Sequence, residues 1–230
     1  MTVIRLRLRM QSRVGYFYSV LLQATILGVS MSSPLSLSIA GLASADPVAR
    51  GAAADGIYRQ GRATAEQAIA RWWTDGELSA LLLAPNTVVT VGLAVARETF
   101  NRIRIANGTP RLAEVPADQD AEEFELHFPE GISLDVLTTR EPGGDGAMAR
   151  YLGKFGEGVQ QVEFRCSHVD RASEILKENF GVAPIYPATR GGADGTRVNF
   201  FLVALPSRGK VLIELYELPG ATAGSKSVQH

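Results

Sequence analysis

The segment GEGVQQVEF, Gly156 to Phe164, follows a glycine turn and alternates like a strand. It nevertheless sets Gln160 and Gln161 where a buried strand ordinarily carries aliphatic residues. Successive side chains of a strand point to opposite faces, so Val162, Phe164 and Cys166 share one face while Gln161, Glu163 and Arg165 share the other. The apolar set predicts a side packed on helices, with the lone Cys166 as a small core hydrophobe. The polar set demands a reason, because an inward polar group is costly unless it is paired or bound.

The same organisation occurs twice. VVTVGLAV (88–95) precedes a helical RETFNRIRIANG and candidate strands PRLAEVP, EEFELHF and GISLDVLT. VQQVEFRC (159–166) precedes a helical VDRASEILKENFG and candidate strands VAPIYPA, RVNFFLVAL and KVLIELYEL. Gly108 and Gly181 stand at the helix ends as C-cap residues. The duplication predicts an α+β fold of two βαβββ modules, residues 86–140 and 159–218, joined by a linker helix within 141–158. Alternation then places Thr90 and Gly92, Ser133 and Asp135, and Glu214 and Tyr216 on the polar face. Asp135 and Glu214 thus occupy equivalent positions of the repeat.

Together with the linker GAMARYLGKFGEG and the ending GADGTRVNFFLVALPSRGKVLIELYE, this pattern resembles the vicinal oxygen chelate, or glyoxalase, superfamily, and within it the methylmalonyl-CoA epimerases. The resemblance is clearest from about residue 147 to 217. It implies a cupped sheet holding one divalent metal, and proton abstraction from a small carbonyl or acyl-thioester compound. By position, Thr90 and Gln161 stand where the family has histidines, Asp135 where it has glutamine or glutamate, and Glu214 where it has its last glutamate. Asp135, Gln161 and Glu214 are oxygen donors and suit Mg²⁺, Mn²⁺ or Ca²⁺ better than Zn²⁺. The absent histidines leave open a site with no metal at all. The resemblance accommodates a second class, a metal-free protein that sequesters a small molecule, as bleomycin-resistance proteins do. It also implies a homodimer.

Without a metal, a carboxylate in a partly apolar cup tends toward a raised pKa and suits general-base work on a carbon acid, which makes Glu214 the first catalytic candidate. His127 lies on the same strand face as Glu125 and is a candidate proton carrier. Arg165 and Tyr216, with Arg190 and Arg197 of the glycine-rich TRGGADGTR loop, are candidates for binding a substrate and its anionic tail.

The 230 residues carry a net charge of −1, which gives no basic footprint and argues against nucleic-acid binding. Residues 46–85 predict a helical arm capped by Asp46 and Pro47, in which one of the adjacent Trp72 and Trp73 packs on the main body. Residues 1–45 read as a leader: Arg5, Arg7, Arg9 and Arg13 precede an apolar run and ASA at 43–45, so either export or a start downstream at Met31 is compatible. The run is interrupted by Gln23 and is short for a span, so stable membrane insertion is not expected and a cytoplasmic location is the working expectation. The tail from Pro219 is expected to be disordered.

Overall fold

The computed structural model describes residues 33–207 and 209–220; the leader reading of residues 1–32 and most of the tail reading lie outside them. Among the described residues three helices come first: α1 (Pro34–Gly41), α2 (Pro47–Ile69) and, after a short turn, α3 (Gly76–Leu81). Asp46 caps α2 by accepting from the Val48 amide at 3.0 Å, and Asp75 caps α3 by accepting from Leu78 at 2.9 Å. The first module is β1 (Val89–Ala94), α4 (Arg97–Ala106), β2 (Glu122–Phe128) and β3 (Ile132–Thr138). Helix α5 (Ala147–Phe155) links it to β4 (Gly158–Arg165), α6 (Val169–Phe180), β5 (Arg190–Gly191), β6 (Arg197–Ala204) and β7 (Lys210–Glu217).

The seven strands form one sheet in the order β2-β3-β1-β4-β7-β6-β5. Strand β1 runs parallel to β3 and β4 parallel to β7, while β1 and β4 pair antiparallel at the centre, so the two modules are related by an approximate two-fold. Val91, Leu93, Val162, Phe164, Leu134, Ile213 and Leu215 project to one side and join Phe100 and Ile103 of α4 and Ile175 and Leu176 of α6 in a single core. The face assignment read from alternation holds along all four central strands. Cys166 lies in this core, where burial pushes its thiol up to about 11.

Two stretches differ from the expected strands. Segments 110–116 and 182–188 contain Pro110 and Pro116, and Pro184 and Pro187; proline has no amide to give a ladder. The first is an extended strap held to β2 by the Ala113 amide donating to the Glu123 carbonyl at 3.0 Å. The second leads into the two-residue β5.

The helical arm lies on the sheet. Ala54, Ile57, Ala65 and Ile69 of α2 are buried in the common core, and Trp72 packs edge-on to Phe201 at 6.4 Å while Trp73 remains partly exposed. Gly61 sets the approach: a Cβ there would stand 2.6 Å from Cγ1 of Val91. Among the described residues, no helix is long and apolar enough to cross a membrane. Gly61→Ala should therefore lower stability by about 1–2 kcal/mol in urea unfolding, since overpacking against a branched, buried valine outweighs the gain in helix propensity.

Candidate functional site

The face of the sheet opposite the core forms the cup. Cross-strand pairing sets its side chains in rows. Gly92 faces Asp135 of β3 on one side and Gln161 of β4 on the other, and Asp135 in turn faces Glu125 of β2. In the next row Thr90 faces Glu163, which faces Glu214 of β7, which faces Phe200 of β6. The β1–β4 register shifts between Gly92 and Leu93, so that Gln160 is the extra residue of a bulge and its Oε1 is buried without a partner.

At the centre the Gln161 amide donates to two carboxylates, Glu163 at 3.0 Å and Glu214 at 2.7 Å. Two flanking acceptors fix the orientation of this amide. Gly92 makes the arrangement possible, because a Cβ at that position would lie 2.5 Å from Cγ of Gln161 and 3.2 Å from Oε1 of Glu163. Asp135, Gln161, Glu163 and Glu214 are 6, 6, 8 and 9% exposed, and no Lys, Arg or His is buried among the described residues. Oδ1 of Asp135 has no hydrogen-bond partner among the described residues.

Burial and mutual repulsion together move these acids. Burial, then the charge of Glu123 and Glu125, pushes Glu163 up to about 8, against the opposing bond from Gln161. Burial pushes Glu123 up to about 7, reinforced by Asp194 and Glu125 and opposed by Arg140. Asp135 and Glu214 rise well above the usual carboxylate range, mainly through burial and then through their acidic neighbours. Burial, followed by Glu163 and Glu125, also pushes the Tyr216 phenol up to about 12.

Two elements close the cup. Helix α5 sets Met148 against Ala94 and Leu137 on the cup face, and its Tyr151 hydroxyl donates to the Val159 carbonyl at 2.9 Å. The strap before β2 meets the turn before β6. Arg111 pairs with Asp194 through bonds of 2.9 and 2.6 Å, the Glu114 amide donates to the Asp194 carboxylate at 2.9 Å while the Asp194 amide donates to the Glu114 carbonyl at 3.1 Å, and Gln119 donates to the Gly191 carbonyl at 2.8 Å. Because β2 and β5 are opposite edges of the sheet, these bonds join its two margins.

The other sequence candidates are placed as follows. His127 is exposed at the rim, 3.0 Å from Glu125 and 3.1 Å from Ser133, and has no contact with Glu214. Arg190 lies over the Tyr186 ring and bonds Asp118 at 2.6 Å, while Arg197 bonds Asp170 and Glu217 at 2.5 and 3.2 Å. Both guanidiniums thus hold the fold together. Arg165, half-buried opposite Tyr216, has no hydrogen bond or ion pair at its guanidinium among the described residues. His168 accepts from the Arg171 amide at 3.2 Å as the N-cap of α6. Glu163 and Glu123 were not singled out from sequence; alternation alone put Glu163 on the cup face, and only the closure reveals how deeply it is buried.

The positions where the resemblance places a metal are Thr90, Asp135, Gln161 and Glu214, and this donor set does not fit a divalent ion as arranged. Gln161 presents its amide hydrogens, not its oxygen, to the centre and occupies Glu163 and Glu214. Among the described residues, no three His, Cys, Asp or Glu side chains stand in a metal-binding arrangement.

No family model and no curated protein matches the chain. Solved structures with partial similarity include a methylmalonyl-CoA epimerase of Mycobacterium tuberculosis, 28% identical over 59% of this chain and 90% of its own, with a TM-score of 0.47. A single-site variant of a Streptomyces coelicolor methylmalonyl-CoA epimerase, in complex with 2-nitronate-propionyl-CoA, is 24% identical over 56% of this chain and 95% of its own, at a TM-score of 0.45. A hypothetical protein of Bacillus halodurans is 20% identical over 63% and 99%, at 0.47.

Acids with raised folded pKa values keep protons that the unfolded chain has released. Their contribution to stability is complete below about pH 4.5 and is lost as pH rises toward about 8, the value for Glu163. The melting temperature should therefore fall between pH 5 and pH 8, and Glu163→Gln should flatten that slope. The strap gives a second expectation. Asp194→Asn keeps the left-handed backbone preference at φ 49° and removes the ion pair. It should cost under about 1 kcal/mol of global stability, because the pair is exposed, yet accelerate amide hydrogen exchange across residues 112–119.

Proposed function

We propose that the protein is an acid–base catalyst of the isomerase or epimerase kind, removing and returning a proton at the carbon beside the carbonyl of a small ketone or acyl thioester. One observation carries this reading: Glu163 and Glu214 share a single amide donor on the cup face, where no basic side chain among the described residues is buried beside them. Paired carboxylates held in this way are poised to exchange protons near neutral pH. Glu214, as carboxylate, takes the carbon-bound proton; the electron pair of that bond moves to the carbonyl oxygen, and return of the proton to the carbon restores the carbonyl. Closure by α5 and the strap excludes water from the enolate. Arg165 and Tyr216, adjacent in register, supply a cation and a hydroxyl for the part of the substrate that extends toward the rim.

The resemblance read from sequence supports the acyl-thioester class. Solvent-deuterium incorporation beside the carbonyl of a thioester panel, followed by mass spectrometry, tests the proposal. Exchange should be detected and should fall at least about 10²-fold in Glu214→Gln. Tight ligand binding with no deuterium uptake by any member would favour a sequestering protein instead.

A further inference from the structure

The two halves of the cup are equivalent by position and opposite in polarity. In the first module Glu125 of β2 faces Asp135 of β3, and His127 faces Ser133 one row along. In the second, Phe200 of β6 faces Glu214 of β7, and Leu202 faces Leu212. Directly opposed residues of an antiparallel pair share a face, so Phe200, Leu202 and Leu212 stand on the same face as Glu214. Leu202 is 49% exposed, and Phe200 and Leu212 are half-buried. The first module holds a carboxylate, an imidazole and a hydroxyl at the matching places, so the sheet itself does not require this apolar set. Tyr186 meets the Phe200 ring edge-on at 6.0 Å and is covered in turn by the Arg190 guanidinium at 4.6 Å, which fixes the wall before anything binds.

Polarity also changes along β7. Leu212, Glu214 and Tyr216 alternate onto the cup face, and Arg165 stands in register with Tyr216. A molecule whose reacting carbon lies at Glu214 therefore meets hydrocarbon on one side and a hydroxyl with a cation on the other. Because the wall is continuous with the acid that takes the proton, its occupant is part of the same molecule. Resting on the proton-transfer reading above, we infer that Phe200, Leu202 and Leu212 bind an alkyl chain carried by the reacting carbon. The substrate is then a medium-chain acyl thioester whose thioester arm runs toward Arg165 and Tyr216. Leu212 is two residues from Glu214 and Leu202 one strand further, about 8 Å in all, a reach of about six chain carbons. The strip ends there, since the next pair on this face is Ala204 with the exposed Lys210. Leu202 thus determines the preferred chain length.

The test is calorimetric binding of unreactive pantetheine thioethers ending in 2-oxopropyl, 2-oxohexyl, 2-oxononyl and 2-oxododecyl groups to the full-length protein. Affinity should rise about two- to fourfold per added carbon through the nonyl probe and level off at the dodecyl probe. Leu202→Ser should flatten the series, whereas Ile105→Ser, at a position 72% exposed on α4 behind the sheet, should leave it unchanged. Affinity independent of chain length, or a series as steep in Leu202→Ser as in the unsubstituted protein, would overturn the inference. So would a dimer that Leu202→Ser dissociates in light scattering, since a second copy would then cover the wall. Deuterium exchange separates this claim from the one beneath it. Exchange of a 2-methylmalonyl thioester faster than of a 2-methyloctanoyl thioester would support proton transfer and sink the chain-length specificity. A chain-length series in binding without exchange of any thioester would sustain the alkyl-binding wall and sink the proton-transfer reading.

Discussion

The antiparallel pairing of β1 with β4 is the constraint on which the rest depends. It is the seam between two modules, each of which leaves its sheet open on one side, and pairing there makes one continuous seven-stranded surface. The residues of the seam are also the floor of the cup. Gly92 can have no side chain because Gln161 occupies that space, and Gln161 is turned into it by the bulge at Gln160. Behind the seam, α2 comes down on Val91 through Gly61, so the strand that carries Gly92 is held from both faces. A change at either glycine therefore acts on the fold and on the site together.

The acidity of the cup follows from its closure rather than from any one residue. Carboxylates on an open sheet face would be hydrated and would titrate near their ordinary values; here Asp135, Glu163 and Glu214 keep less than a tenth of their free exposure. Burial is the first cause of the upward shift in these three and in Glu123, and repulsion among acids adds to it. Gln161 offsets part of this cost by giving two of them one donor group. The strap is itself fastened by exposed ion pairs of small energy, so the element that sets the chemistry is also one that opens at little cost.

Alternation along single strands was legible in the sequence because period two depends only on local geometry. It assigned Val162, Phe164, Ile213 and Leu215 to the core and Gln161, Asp135 and Glu214 to the cup, and the caps at Asp46 and Gly181 were equally local. The features that sequence reading missed are all long-range. The strap reads as a strand until its prolines are weighed, and its partners Gly191 and Asp194 are some 70 to 80 residues away. A tryptophan of the arm was expected on the main body, but not the close approach of α2 to the sheet that its small residues permit. The acids that meet Arg190 and Arg197 in space, Asp118, Asp170 and Glu217, leave no signal in the glycine-rich loop itself.

Glu163 shows why a position-by-position comparison is too narrow for this site. Thr90, which stands where the resemblance expects a metal ligand, faces Glu163 directly across the seam. The carboxylate therefore stands one strand spacing, about 4.8 Å, from the threonine. It lies beside Glu214 and within reach of Gln161, whose amide answers both. Thr90, Gly92, Gln161 and Glu163 therefore form one interdependent set. The threonine leaves the row uncrowded, the glycine leaves room for Gln161 and Glu163, and the amide holds the two acids apart from direct repulsion. A bulky side chain at Gly92 would meet Gln161 and Glu163 on the facing strand.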